Sequence, residues 1–199
     1  EDRGRNRVVR VAPDGSVSGV LGGDRAVTGL TARPDGAAFT FTATTPTDPG
    51  ELWWWEGGEE RCLTSLNAGF RAEAALVAPE PFTVVSDGVE IDAWAYLPPG
   101  GGKVPLLLNI HGGPATQYGW GFFDEFQVYV TAGYGVVACN PRGSSGRGRE
   151  FVRVPVGRWV EERPPDLEDI LAVADAAVAR FPRLDPGRQG IMGGSYGGY

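Results

Sequence analysis

The sequence predicts two architectures in one chain, namely short antiparallel strands followed by an α/β layer structure with a largely parallel sheet. Strand-sized segments separated by turn residues fill residues 1 to 67. From residue 81 onwards, apolar runs typical of strands covered on both faces alternate with segments of helical periodicity. The 199 residues are 42% hydrophobic and 22% charged, which is the composition of a globular protein.

The first region contains two Pro-Asp-Gly turns, which begin at Pro13 and Pro34. Each predicts a hairpin, because proline presets φ for the turn and glycine accepts a positive φ. The strand-sized segments are residues 8–11, 17–21, 27–32, 38–44, 52–55 and 61–66. Four strands in roughly 40 residues is the size of one propeller blade. We therefore interpret residues 1–67 as the C-terminal part of a β-propeller, and we expect earlier blades to precede Glu1.

Three consecutive tryptophans, Trp53, Trp54 and Trp55, lie in one of these strands. Packing between blades, with one ring exposed, is the favoured interpretation of these aromatic side chains. A binding surface is the alternative.

Residues 68–80 are interpreted as a connector, with 72–77 helical, and residues 81–199 as the N-terminal half of an α/β domain. A hairpin of 82–85 and 89–97 is followed by apolar strands at 104–110 and 135–139. Between these strands, Phe122, Phe123, Phe126 and Val130 are spaced for one helical face that Gly133 would end. A second helix is predicted from Asp166, as N-cap, to Phe181, and the strand 188–192 follows it. Its apolar stripe comprises Leu167, Ile170, Leu171, Ala174, Ala177, Val178 and Phe181.

The chain ends in a Gly-x-Ser-x-Gly motif formed by Gly193, Ser195 and Gly197. This pattern is typical of a nucleophile elbow, in which a sharp strand-to-helix turn presents the serine and flanking glycines allow the close packing. The backbone N–H of Tyr196 would then face a developing oxyanion. About 0.17 accidental matches are expected in a chain this rich in glycine, so the motif needs independent support.

The support comes from His111-Gly112-Gly113-Pro114, which also follows an apolar strand. In the α/β-hydrolase architecture the second oxyanion donor lies in a loop at this place, and two glycines let the backbone approach a substrate carbonyl. A purely structural turn is the alternative. His111 is the only histidine, but the chain order of this architecture places the base after the serine, so His111 is interpreted as shaping the loop.

Three motifs together resemble the prolyl oligopeptidase family of serine peptidases, and in particular its acylaminoacyl-peptidase and dipeptidyl aminopeptidase branch. They are His111-Gly112-Gly113-Pro114, the run Asn140-Pro141-Arg142-Gly143-Ser144-Ser145-Gly146, and the run from Gly193 to Tyr199. The resemblance implies an α/β-hydrolase domain after a propeller, Ser195 as the nucleophile and the Tyr196 N–H as one oxyanion donor. Some branches use a tyrosine hydroxyl where His111 stands, so the Gly113 N–H is the expected second donor here.

The resemblance also implies a chain truncated at both ends, with the acid and the base of the catalytic triad beyond Tyr199. We therefore expect residues 1–199 alone to be inactive and prone to aggregation, because an incomplete parallel sheet exposes apolar surface and an unpaired edge. The expected activity is hydrolysis of short peptides through an acyl-enzyme on Ser195. An esterase or lipase, which shares both motifs, and a non-catalytic interaction protein remain open as alternatives.

Charge and hydropathy exclude two classes of partner, nucleic acid and the membrane interior. A net charge of −7 without a sustained basic stripe argues against nucleic acid, and no apolar run is long enough for a membrane span. Cys62 and Cys139 are expected to be buried small residues, neither disulfide-bonded nor metal-bound. We expect no cofactor, no metal, a short peptide as substrate and a cytoplasmic location, and the oligomeric state stays open.

Overall fold

The computed structural model describes residues 1–199, which form two compact units. The first unit comprises Glu1–Leu76 with Trp120–Phe123, and the second comprises Val77–Gly119 with Asp124–Tyr199. The division predicted from the sequence at residues 67 and 81, between a propeller and a hydrolase domain, stays a prediction.

The first unit consists of two antiparallel sheets and one short helix. Its elements are β1 (Val8–Val11), β2 (Val17–Leu21), β3 (Ala26–Ala32), β4 (Ala38–Thr45), β5 (Asp48–Glu56), β6 (Glu59–Cys62) and α1 (Ala68–Glu73). β1 pairs with β2, and β3 to β6 form a sheet in sequential order. Both Pro-Asp-Gly hairpins are confirmed, with Gly15 and Gly36 at positive φ. Four antiparallel strands match one propeller blade, whereas the propeller ring itself stays a prediction.

The tryptophans of β5 alternate between the two faces of the four-stranded sheet. Trp55 stacks on Phe39 with ring centroids 4.8 Å apart, and Trp53 stacks on Phe41 at 6.3 Å. Trp54 lies between them in the strand and is half-buried. Two of the three rings therefore pack against side chains of the same sheet.

The helix expected at residues 72–77 is wrong in position, because α1 occupies Ala68–Glu73 and Ala74 is already extended. The buried Glu51 carboxylate explains where the helix begins. It accepts hydrogen bonds from the backbone N–H groups of Leu66 and Asn67, both at 2.9 Å, and from the Thr64 hydroxyl at 2.5 Å. These bonds fix the chain immediately before the helix.

The segment Trp120–Phe123 belongs to the first unit, which the helical spacing of Phe122 and Phe123 did not predict. Phe122 meets Phe70 edge to face at 6.2 Å, and the Trp120 N–H donates to the Gly4 carbonyl at 2.8 Å. The helix α2 consequently begins only at Asp124 and runs to Thr131. Gly133, at φ +96°, follows its end as expected.

The second unit is a five-stranded sheet with helices packed on it. Its elements are β7 (Glu80–Ser86), β8 (Val89–Tyr96), β9 (Val104–Ile110), α2 (Asp124–Thr131), β10 (Gly135–Asn140), α3 (Arg149–Arg153), α4 (Pro165–Arg180), β11 (Leu184–Gly193) and a 3-10 turn (Ser195–Gly198). The strand order is β11-β9-β10-β8-β7. Only β9, β10 and β11 are parallel to each other, since β8 is antiparallel to both β10 and β7. The sheet is thus mixed. The predicted hairpin of β7 and β8 is confirmed, whereas the expectation of a largely parallel sheet is wrong where β8 runs antiparallel to β10.

The helix α4 packs on the sheet through a stripe that differs from the predicted one. Ile170, Val173, Ala177 and Phe181 are buried, whereas Leu167 and Leu171 are 36% and 41% exposed. The stripe is rotated because two acidic residues of the helix, Asp166 and Asp169, are themselves buried. Asp166 is also not the N-cap, since Pro164 holds that place and Asp166 lies in the first turn.

Cys139 lies in the fully buried strand β10, as expected, but the expectation for Cys62 is wrong. Cys62 is exposed because β6 is the edge strand of its sheet. Burial, with the nearby Asp169 carboxylate, raises the pKa of the Cys139 thiol to about 12, so this thiol stays protonated. None of the helices combines the length and the hydropathy that crossing a membrane requires.

A buried ion pair connects the end of β10 with α4. The Arg142 guanidinium donates to both carboxylate oxygens of Asp169, at 2.8 Å from Nη2 and 3.0 Å from Nε. The Arg142 backbone N–H donates to the same carboxylate at 2.8 Å, and Asp169 is completely buried. The Asn140-Pro141-Arg142-Gly143 turn is therefore fixed to the helix by a charge pair withdrawn from water.

We predict that Asp169→Asn lowers the free energy of unfolding by about 3 kcal/mol, because it leaves the buried arginine with only the exposed Asp87 carboxylate as an ionic partner. The measurement is urea-induced unfolding of the purified full-length protein. Glu161→Gln is the matched control, since its ion pair with Arg158 is about half exposed and contributes little. Equal losses in the two variants would contradict this account of the turn.

Candidate active site

The two motifs singled out from the sequence meet at the carboxyl ends of adjacent parallel strands. β11 pairs with β9 so that Gly193 is the register partner of Ile110. Ser195 follows the last pair by two residues, and His111 follows it by one. Ligand sites in sheets of this kind lie beyond the carboxyl ends of the strands, so the topology brings the serine and the glycine loop to one place.

The backbone at Ser195 has the conformation of a nucleophile elbow. Ser195 has φ +56°, one of only three non-glycine residues at positive φ, and its side chain is exposed. A residue with a Cβ adopts this region at a cost, so the surrounding chain must hold it there.

The flanking glycines hold the turn by allowing backbone segments to touch. A methyl group added at Gly197 would lie 2.2 Å from the Ile110 carbonyl oxygen, and one at Gly193 would lie 2.2 Å from the Gly197 carbonyl oxygen. Neither position can accept a side chain without displacing the backbone. Gly194, in contrast, is extended at φ −115°, and a methyl group there would contact nothing within 4 Å.

The His111–Pro114 loop lies directly against the serine. A methyl group on Gly112 would lie 3.3 Å from Ser195 Cβ and 3.9 Å from Ser195 Oγ. Gly113 has φ +121°, a region reserved for glycine, and a methyl group there would lie 3.1 Å from the Ala115 nitrogen. The two glycines therefore let the loop approach the serine and turn immediately after it.

His111 is buried, with 6% of its surface exposed, and is bonded through both ring nitrogens. Nδ1 lies 2.6 Å from the Gly112 carbonyl oxygen and Nε2 lies 2.8 Å from Ser144 Oγ. Because a carbonyl only accepts, the proton of the neutral ring resides on Nδ1, and the Ser144 hydroxyl donates to Nε2. Burial lowers the pKa of His111, so the ring is neutral at physiological pH. Neither ring nitrogen is bonded to Ser195 Oγ.

Tyr118, which no sequence motif marks, fixes the other end of this loop. Its hydroxyl donates to the Asn109 side-chain oxygen at 2.6 Å, and its backbone exchanges two hydrogen bonds with the Asn140 amide. Both asparagines are buried at the ends of β9 and β10. The available signal was Asn109, a polar residue inside an otherwise apolar strand, because a buried amide must find partners.

The Tyr196 side chain points away from these contacts into a small polar cluster. Its hydroxyl donates to Asp166 Oδ2 at 2.5 Å and accepts from Trp159 Nε1 at 2.8 Å. Burial, with the hydrogen bond to Asp166, raises the pKa of Tyr196 to about 12, so the phenol keeps its proton. The roles of both partners were missed because each is far from Tyr196 in the sequence.

A cleft of about 800 Å³ adjoins the turn in the second unit. His111, Ser144, Trp159, Asp166 and Tyr196 contribute to its wall, but Ser195 does not. The cleft therefore lies beside the serine turn. No group of three or more His, Cys, Asp and Glu side chains is arranged to bind a metal ion.

We predict that Gly197→Ala lowers the rate at which a fluorophosphonate labels Ser195 by at least about 100-fold, since displacing a reacting group by about 1 Å has that effect. The measurement is the labelling rate in the full-length protein that contains this chain. Gly194→Ala is the matched control and should label nearly as fast as the unsubstituted protein. The steric account of the turn would be refuted by equal rates in the two variants.

Comparison with known proteins gives the chain its family. Residues 120–199 match the model described as the prolyl oligopeptidase family. The uncharacterized peptidase YuxL of Bacillus subtilis (strain 168) is 37% identical over 203 residues, covering all of this chain and 30% of the relative. This chain thus spans less than a third of that relative's length.

Two solved structures have the same fold over nearly the whole chain. The acylaminoacyl peptidase of Pyrococcus horikoshii has a TM-score of 0.89 at 31% identity, over 98% of this chain and 31% of that one. An acylaminoacyl peptidase in complex with Z-Gly-Gly-Phe-chloromethyl ketone has a TM-score of 0.87 at 32% identity, with the same coverage of both chains. With the serine turn and the His-Gly-Gly-Pro loop in the arrangement described above, the chain belongs to the prolyl oligopeptidase family.

Proposed function

We propose that this chain carries the nucleophile and the oxyanion site of a serine peptidase that hydrolyses short peptides through an acyl-enzyme on Ser195. The observation that carries the proposal is the exposed Ser195 at φ +56°, with Gly112 packed against it. A serine held in this conformation at a strand end is what nucleophilic acyl transfer requires. The peptidase relatives and the family membership support the same chemistry.

In the proposed reaction a general base takes the proton of Ser195 Oγ, and Oγ attacks the peptide carbonyl carbon. The carbonyl oxygen becomes an oxyanion, which the N–H groups of Tyr196 and Gly113 stabilise. Collapse of this intermediate breaks the C–N bond, and the departing amine takes the proton from the base. Water then hydrolyses the ester on Ser195 and regenerates the hydroxyl.

The general base comes from outside residues 1–199 in this proposal. His111 is the only histidine of the chain, and its two ring nitrogens are bonded to Gly112 and Ser144. Its role is to shape the oxyanion loop together with Gly112, while Gly193 and Gly197 shape the serine turn. No cofactor takes part in the reaction.

The proposal assigns residues 1–67 to the C-terminal part of a β-propeller, 68–80 to a connector and 81–199 to the N-terminal half of the α/β-hydrolase domain. The four-stranded antiparallel sheet of β3 to β6 supports the first assignment. A propeller in the full-length protein would restrict access to short peptides. The peptide chloromethyl ketone named for a similar acylaminoacyl peptidase supports a peptide as the substrate class. A cytoplasmic location stays a prediction.

An esterase with the same elbow is the second candidate, and substrate preference separates the two. We expect the full-length protein to turn over short peptide anilides with a higher kcat/KM than simple esters of comparable size. A preference for simple esters would favour the esterase. Binding of a partner without turnover of either substrate would favour a non-catalytic interaction protein.

We predict that Ser195→Ala lowers kcat on a peptide anilide by at least about 10⁴-fold, since the oxyanion site alone retains only residual catalysis. The measurement is steady-state turnover by the full-length protein. Ser65→Ala is the control, because Ser65 is an exposed serine of the first unit that takes no part in the acyl transfer. Turnover that survives in Ser195→Ala would overturn the assignment of the nucleophile.

A further inference from the structure

Two buried aspartates in the first turns of α4 have opposite surroundings. Asp169 is bound by the Arg142 guanidinium through both of its oxygens. Asp166 is 8% exposed and has one partner, the Tyr196 hydroxyl at 2.5 Å from Oδ2. Its other oxygen, Oδ1, is buried without a hydrogen bond. Asp166 is therefore a carboxylate withdrawn from water with a single neutral partner.

Such a group does not stabilise a fold. A carboxylate loses its hydration on burial, and one hydrogen bond from a neutral hydroxyl does not replace it. The α4 N-terminus favours a negative charge near Asp166, but the effect of a helix dipole is small beside that of the missing cation. What Asp166 does achieve is to hold the Tyr196 side chain in one direction.

The Tyr196 hydroxyl is held from two sides. It gives its only proton to Asp166 Oδ2 and receives the Trp159 indole N–H at 2.8 Å. A hydroxyl whose proton is already donated is not available as a donor to an oxyanion. The contribution of this side chain to the site must therefore pass through the backbone of Tyr196, which carries the N–H beside Ser195.

We propose that Asp166, assisted by Trp159, is a positioning residue that orients the Tyr196 backbone N–H toward the oxyanion. The inference rests on the proposed function and extends it to two residues outside both motifs. The strained φ of Ser195 makes this constraint useful, because the residue after a strained position needs an anchor to keep its peptide plane in place. The Tyr196 hydroxyl is held by its two hydrogen bonds. In this proposal, the held side chain fixes the peptide plane that joins Ser195 and Tyr196.

The test compares three variants of the full-length protein on a short peptide anilide. Tyr196→Phe and Asp166→Leu should lower kcat about tenfold with KM unchanged, a smaller effect than the 10²- to 10³-fold loss on removing an oxyanion donor outright. Both should weaken a peptide aldehyde inhibitor, which forms the same oxyanion, by the same factor. Asp166→Asn should retain kcat within about threefold, because its amide oxygen accepts the same hydrogen bond.

The control is Tyr129→Phe, which removes a tyrosine–carboxylate hydrogen bond of the same kind in the same unit. The Tyr129 hydroxyl donates to Glu125 at 2.7 Å on α2 and takes no part in the site. The Tyr129→Phe substitution should leave kcat and the affinity for the aldehyde inhibitor unchanged. The double variant Asp166→Leu with Tyr196→Phe should be no worse than Tyr196→Phe alone, since both substitutions break the same hydrogen bond between Tyr196 and Asp166.

The outcomes separate this inference from the proposed function. Unchanged kcat per labelled Ser195 in both Tyr196→Phe and Asp166→Leu would overturn the positioning role and leave the peptidase proposal standing. The positioning role would also be overturned if these variants lowered only the unfolding midpoint and not kcat, or if Asp166→Asn lost as much kcat as Asp166→Leu. Absence of turnover and of Ser195 labelling in the unsubstituted protein would overturn the proposed function, and this inference with it.

Discussion

The arrangement at the candidate site depends on contact between backbone segments at the ends of β9 and β11. The Ile110 carbonyl lies where the Cβ of any larger residue at position 197 would be, and the Gly197 carbonyl lies where that of residue 193 would be. The turn can therefore form only with glycine at both positions. This turn holds the exposed Ser195 at positive φ, and Ser195 could return to an ordinary φ only if these backbone segments separated. Gly112 continues the same contact to the His111–Pro114 loop.

Around this contact, buried polar groups fix each approaching segment. His111 is bonded to Ser144, Tyr118 joins the ends of β9 and β10, and Arg142 connects the next turn to Asp169. Each group has its partners within the second unit, as buried polar atoms require. Asp166 Oδ1 is buried without a hydrogen-bond partner, as is the Ser145 hydroxyl. An incompletely satisfied carboxylate that is bonded to the residue after a strained serine is an arrangement expected at a functional site and not in a structural core.

Local signals in the sequence predicted the strands well, because turn chemistry and apolar runs act over a few residues. The strands β1, β2 and β9 have the predicted bounds, and Gly133 ends α2. The predictions failed where a distant partner decides the outcome. Asp166 has the sequence position of an N-cap, but Pro164 holds that place and Asp166 is instead bound by the Tyr196 hydroxyl, 30 residues away. Phe122 has helical spacing but packs on Phe70 in the first unit, and β8 joins the sheet antiparallel through a pairing that no local pattern encodes.

The central claim is that Ser195 is the nucleophile of an acyl-transfer site, and its most direct test is a map of covalent modification. The full-length protein would be treated with a fluorophosphonate, digested and analysed by mass spectrometry. The account predicts one phosphonyl group per protein, on the Ser195 hydroxyl. Modification of Ser144, Ser145 or another residue in place of Ser195, or no modification of the folded protein, would contradict it.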